Sequence, residues 1–306
     1  MITQDPKKIV ITAAVNGPFT MREKRPGIPW EGNPTTPYTP EEIALAQKEA
    51  YDQGASIAHT HTRLEDGTNV HEAELFGQSH RLIHAQTNML CNPTTGGGGM
   101  ITPEERIGII PALASMPQGS KPELAELTAG SVNLDFYDQR TKQWTLGNLI
   151  FSNSNANFEM FLDTCNQYDV KPVICCFEYG HLYNVLRMVD KGLIRTPVFL
   201  DFAFCGGPIV SGVTPTIENL KGFVDRIPDD LDCIWEVLTF GVDEFPIALA
   251  ATAMGGNVRL GLEDYHYADQ GNPTTADLVK RFVPLAAALG RTPASPDETR
   301  EYLGLG

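Results

Sequence analysis

The sequence predicts an α/β protein, a closed (β/α)8 TIM barrel, on three observations. Eight short apolar runs recur along 306 residues, each followed by a helix-like segment. The runs are apolar throughout rather than alternating, as parallel strands buried on both faces require. Polar or Gly-rich segments follow almost every run, whereas an open doubly wound sheet concentrates its functional loops at one switch point. Strand–helix alternation implies a parallel sheet, and eight repeats over this length imply closure. A single domain spanning 1–306 is expected.

The elements follow in order. Residues 9–15 are β-branched and apolar and are closed by Asn16-Gly17-Pro18, a strand and its turn. A long Pro/Gly-rich loop over 26–40 follows. Thr39-Pro40-Glu41-Glu42 starts a helix, with Thr as N-cap and Pro at the first position, and Gly54 closes it. The second strand carries Ile57-Ala58-His59-Thr60-His61. A helix over 72–85 precedes the third strand, 89–93, and the loop Thr94-Thr95-Gly96-Gly97-Gly98-Gly99. Thr102-Pro103-Glu104-Glu105 repeats the helix start. Strands over 124–128, 173–178, 198–204, 232–238 and 257–262 alternate with helices over 155–168, 182–191, 217–225, 246–253 and 275–289, the last being the closing helix, ended by Gly290.

Composition narrows the function. With 42% hydrophobic residues there is ample material for a core, and a net charge of −15 disfavours nucleic acid or an anionic membrane surface as partner. No apolar run approaches membrane-spanning length, and residues 1–8 lack the apolar centre of a signal peptide, so a cytoplasmic protein is expected. Cys91, Cys165, Cys175, Cys176, Cys205 and Cys233 form no Cys-x-x-Cys pair and lie mostly in apolar segments, which reads as scattered buried thiols.

The chemistry concentrates in two stretches. Side chains alternate along a strand, so His59 and His61 face one way. Val258-Arg259-Leu260-Gly261-Leu262-Glu263-Asp264 delivers a guanidinium and then two carboxylates where the last strand ends. Strands two and eight flank strand one, and barrel sites gather at C-terminal strand ends. His59, His61 and Glu263 then form a two-His, one-carboxylate set, suited to catalytic zinc with an open position or to non-haem iron.

These residues also resemble a known family, the beta-keto acid cleavage enzymes, whose founding activity is 3-keto-5-aminohexanoate cleavage. The resemblance spans nearly the whole chain. It rests on Ile11-Thr12-Ala13-Ala14-Val15-Asn16-Gly17, on Ala58-His59-Thr60-His61 with Arg63 and Asp66-Gly67, on Thr94-Thr95-Gly96-Gly97, on Ala129-Gly130-Ser131-Val132-Asn133, and on 255–264. It implies a zinc-dependent barrel, a homotetramer by family habit. Such an enzyme exchanges an acetyl unit between a beta-keto acid and acetyl-CoA, giving acetoacetate and a new CoA ester. Carried over, His59, His61 and Glu263 bind Zn2+, Asp264 is the acid/base residue and Arg259 its electrostatic partner. Thr94, Thr95 and the Gly96 and Gly97 amides belong to the segment that holds the substrate carboxylate.

Departures from the family pattern bear on the substrate. Phe19 stands where the amino-keto acid enzyme has a glutamate for the substrate ammonium, which points to an apolar or larger group. Glu126 replaces a small hydroxyl residue, either to read a cation such as a quaternary ammonium packed on Phe19, or to pair with a nearby Lys or Arg. Gly241-Val242-Asp243-Glu244-Phe245 replaces a basic, aromatic run and reads as an acidic loop. His181 and His266 read as loop histidines near the mouth, and Glu178 as a support for a metal ligand or for Arg259. Trp30 and Tyr38 are candidates for a lid, a subunit contact or rim packing. A metal-dependent barrel hydrolase is the alternative function. A Schiff-base aldolase is disfavoured, because no lysine falls within an expected barrel strand.

Overall fold

A computed structural model of the chain describes residues 4–25, 31–96 and 101–305; Trp30 and Gly97 lie outside the described residues. The eight barrel strands are β1 (Ile11–Ala14), β2 (Ile57–Thr60), β3 (Leu90–Pro93), β4 (Leu124–Thr128), β5 (Lys171–Cys176), β6 (Val198–Cys205), β7 (Cys233–Phe240) and β8 (Asn257–Gly261). All pair in parallel, in the order β3-β2-β1-β8-β7-β6-β5-β4, and a Thr94↔Glu126 bridge joins the two ends of that row. β8 against β1 sets Arg259 beside Thr12, and β1 against β2 sets Ala14 beside His59.

Outside the ring stand α1 (Pro40–Asp52), α2 (Ala73–Gln86), α3 (Pro103–Ala114), α4 (Asn155–Gln167), α5 (Tyr179–Asp190), α6 (Ile217–Val224), α7 (Phe245–Ala253) and α8 (Thr275–Ala288), with α9 (Pro296–Leu303) beyond the last barrel unit. Thr39 with Glu42, Thr102 with Glu105, Thr274 with Asp277 and Ser295 with Glu298 form reciprocal N-terminal caps. The larger apolar core fills the space between strands and helices.

The barrel interior is layered by the two-residue period of its strands. At the base, Val10, Ile57, Leu90, Leu124, Val173, Phe199 and Ile234 meet Tyr302 and Leu303 of α9. Two residues further up each strand the inward layer turns polar: Thr12, His59, Glu126, Asp201, Glu236 and Arg259. Above it an aromatic and aliphatic cluster lines the mouth, including Phe136, Phe151, Phe177 and Leu238.

Several expectations shift. Ile9 falls outside the first barrel strand, and Lys8–Ile9 pairs instead with Thr292–Pro293. α5 starts at Tyr179, so His181 is helical. Lys171 does sit in a barrel strand, but at the base, with Nζ turned 3.3 Å from the Arg195 carbonyl and away from the mouth. α9 was not anticipated, and α8 is therefore not the last helix. Nor was the excursion after β4, in which Val132–Asn133 pairs with Ile150–Phe151 and Asp135–Asp138 pairs with Gln143–Trp144 and Ile209–Val210. All six cysteines are buried and free. Among the described residues no helix is long and apolar enough to cross a membrane.

Candidate active site

β2 delivers His59, and the chain just beyond it delivers His61. Gln47 of α1 donates to the carbonyls of Ala13 and His59, at 3.1 and 2.8 Å, tying the first two strands together. The side chain of Asn16 accepts from the His61 amide at 3.3 Å and so holds the second histidine after the strand has ended. Glu263 is pinned from below by its own amide, which donates to the Ala14 carbonyl at 3.1 Å. Gly17 makes room for it: a Cβ there would lie 2.1 Å from Glu263 Cγ.

The three side chains converge. His61 Nε2 lies 2.9 Å and His59 Nε2 3.1 Å from the two oxygens of Glu263. His59 is fully buried, and neither of its ring nitrogens makes a hydrogen bond of good geometry, although Glu263 Oε2 lies 3.1 Å from Nε2 and Glu126 Oε2 3.4 Å from Nδ1. Buried polar atoms that face each other without bonding are costly unless something between them satisfies both. A divalent cation does so, and one donor atom from each residue lies within 4.8 Å of the others. His59, His61 and Glu263 therefore fit a metal.

Arg259 organises the carboxylates around this cluster. It grips Asp264 with two bonds, Nε to Oδ2 at 3.1 Å and Nη2 to Oδ1 at 3.0 Å. Its Nη2 is 2.7 Å from Glu263 Oε2, and its Nη1 2.5 Å from Glu126 Oε2. Asp201 lies 3.9 Å away. The pairing alternative for Glu126 is thus the one observed for Oε2.

Burial pushes Asp264 well above the usual carboxylate range despite Arg259. Burial would also raise Glu263, but Arg259 and the two imidazoles outweigh it and hold Glu263 well below that range. Burial lowers His61, so its imidazole stays neutral and able to ligate. Asp201 is driven well above its ordinary value by burial and by Glu236 and Glu126, and burial pushes Glu236 up to about 8.

Over this floor opens a cleft with a cavity volume of about 140 Å³. Phe19, Phe151, Phe177 and Phe240 line it with Leu134, and His61, Glu126, Glu263, Thr94 and Gly96 supply polar groups. None of the described residues lining it is Lys or Arg. Arg259 and Asp264 lie beneath the lining, behind Glu263 and Glu126. The Gly96 amide donates to Thr94 Oγ1 at 2.9 Å, which leaves the Thr94 hydroxyl proton to face the cleft. Thr95 turns away and donates to the Glu126 carbonyl at 2.5 Å.

Other candidates go elsewhere. Glu178 is exposed at the start of α5. His181 is buried and accepts from the Phe177 amide at 3.3 Å. His266 accepts from the Ala268 amide at 3.0 Å. Tyr38 is buried, its hydroxyl 2.7 Å from the Arg22 amide, with the Arg22 guanidinium over its ring. The 241–245 segment is not simply an acidic surface loop: Glu244 is buried and accepts from the Gly261 amide at 2.8 Å. Asp201, Glu236 and His71 were not singled out from the sequence. An acid inside an apolar run, as in Phe-Leu-Asp201-Phe and Ile-Trp-Glu236-Val, is the signal that could have found the first two.

A barrel with a polar, metal-compatible cluster at its C-terminal strand ends defines a class, the (β/α)8 enzyme. The chain belongs to the family of beta-keto acid cleavage enzymes, whose pattern its residues 8–305 match. It is 33% identical to the 3-keto-5-aminohexanoate cleavage enzyme of Acetoanaerobium sticklandii, over 98% of this chain and 99% of that one. It is 27% identical to the 3-dehydrocarnitine:acetyl-CoA trimethylamine transferase of Rhizobium meliloti, over 98% and 97%. Among solved structures, ObcA in binary complex with oxaloacetate superposes with a TM-score of 0.72 at 18% identity, covering 89% of this chain and 68% of that one, which supports the fold.

Proposed function

We propose that the protein is a zinc-dependent enzyme that exchanges an acetyl unit between a beta-keto acid with an apolar or cationic side chain and acetyl-CoA, releasing acetoacetate and a new acyl-CoA. The observation that carries this reading is the His59–His61–Glu263 cluster at the floor of an aromatic cleft. Bound there, zinc supplies Lewis acidity toward the keto oxygen of the substrate.

The chain's own residues do the rest. The Thr94 hydroxyl donates to the substrate carboxylate. Asp264 is assigned the proton that leaves the carbon between the two carbonyl groups; it lies behind Glu263 with both oxygens held by Arg259, so substrate binding must free one oxygen from Arg259, which then balances the charge through the other. Phe19, Phe151, Phe177 and Phe240 exclude water and pack on the substrate side chain. With Glu126 as the facing carboxylate and no cationic lining residue described, the wall favours a neutral or cationic group over an anionic one. The trimethylamine transferase named above supports the cationic case.

The test is a coupled assay on zinc-loaded protein, with acetyl-CoA and a panel of cationic, neutral apolar and acidic beta-keto acids. Acetoacetate that requires both acetyl-CoA and metal is expected, with acidic members turned over least. Asp264→Asn should keep zinc and lose at least about 100-fold in kcat. His59→Ala and Glu263→Gln should lose zinc and turnover together. No acetoacetate from any member, with zinc bound, rejects the reaction and leaves metal-assisted hydrolysis as the alternative.

A further inference from the structure

A second cluster of metal-type donors lies at the opposite end of the barrel. Cys91 is the second residue of β3 and faces α2, His84 is in the last turn of α2, and Glu123 immediately precedes β4. His84 Nε2 is 3.5 Å from Cys91 Sγ and 3.6 Å from Glu123 Oε2. One donor atom from each of the three lies within 4.8 Å of the others. We propose that Cys91, His84 and Glu123 form a second, structural zinc-type site, separate from the cluster at the mouth.

The spacing is that of a tetrahedral edge. Bonds of about 2.3 Å to sulfur and roughly 2.0–2.2 Å to nitrogen and oxygen set neighbouring donors roughly 3.3–3.6 Å apart. The surroundings orient each donor. His84 Nδ1 is 3.0 Å from the Gly119 carbonyl; a proton on Nδ1 bonds there and leaves the Nε2 lone pair directed at Cys91 and Glu123. Glu123 Oε1 accepts from Arg300 of α9 at 3.0 Å, and Oε2 accepts from the Cys91 amide at 3.0 Å. One thiolate and one carboxylate neutralise a divalent ion, and sulfur favours zinc over magnesium or calcium. Cys91 is fully buried, while the His84 and Glu123 side chains are 22% and 28% exposed, so the ion has an entry path and a fourth position open to water. Cys91 and Glu123 raise His84 to about 11, so binding displaces both the Cys91 thiol proton and the His84 Nε2 proton to solvent and ties α2, β3, the start of β4 and α9 to one ion.

The site is read by cobalt substitution, because the cluster at the mouth contains no cysteine ligand. Reduced, chelator-stripped protein is titrated with Co2+ while the near-ultraviolet thiolate-to-cobalt charge-transfer band and bound metal are followed. Two equivalents per chain are expected, one of them raising the band. Cys91→Ser and His84→Gln should each remove the band and one equivalent while keeping the far-ultraviolet circular dichroism of the wild type. One equivalent with the band in the wild type retains this site and rejects the His59 cluster, so the two readings fail separately. Absence of the band in folded wild type, or its persistence in folded Cys91→Ser, which assigns it to another thiol such as Cys175, overturns the proposal.

Discussion

Glu236 is a carboxyl placed inside a strand, 1% exposed, with one oxygen accepting from Thr12 at 2.7 Å and the other without a partner. Burial raises it from an ordinary 4.5 to about 8. An acid whose pKa rises on folding binds its proton more tightly in the folded state. Its contribution therefore falls as pH climbs from about 4.5 toward 8, and is fully present only below the unfolded value. Chelator-stripped protein should lose stability across that window in denaturant titrations at stepped pH. Glu236→Gln keeps an acceptor for Thr12 and carries no charge, so it should flatten the slope and raise the midpoint at pH 8 by a measurable margin. An unchanged slope would show that Glu236 stays ionised in the fold.

Among the elements, those whose signals are local were legible. Apolar runs, the Thr-Pro-Glu-Glu starts and closing glycines marked α1 to α8 and the eight barrel strands. His59, His61, Glu263 and Asp264 were readable because strand periodicity and adjacency put them together before any tertiary contact is known. Asp201 and Glu236 were not, because each comes alone from its own strand and only closure gathers them around Arg259. α9 was missed for lack of a continuous apolar stripe, although Ser295-Pro296-Asp297-Glu298 repeats the cap grammar seen in α1 and α3. The short pairs after β4 were missed because two-residue strands carry no period. The turn between β1 and the loop that follows offers the element-scale test. Gly17→Ala sets a Cβ against Glu263, so the carboxylate must move. The variant should lose about 1–3 kcal/mol of stability. It should also bind metal at the mouth at least tenfold more weakly by chelator competition; wild-type affinity would mean that Glu263 has room to shift without leaving the site.

For the molecule as a whole, the base of the barrel is closed from outside the eightfold pattern. Leu303 of α9 is fully buried against the lowest layer of the strands, with Tyr302 beside it. Leu303→Ala leaves a void that rigid strands cannot fill, and should cost about 2–5 kcal/mol by thermal or denaturant unfolding. The mouth lies at the other end, so KM for the best substrate should be unchanged; a shift in KM with intact stability would indicate that the base and the mouth are coupled.

Ring closure also dictates a timetable. β1 pairs with β2 on one side and β8 on the other, and the Val10 amide donates to Asn257, 247 residues downstream. During synthesis the first strand must wait, one edge unpaired, until the ribosome has delivered the eighth, and the polar ring that includes Arg259 cannot assemble before then. A nascent barrel of this kind exposes a sticky flank for most of its translation, which makes it a natural client for chaperones that shield unpaired strand edges.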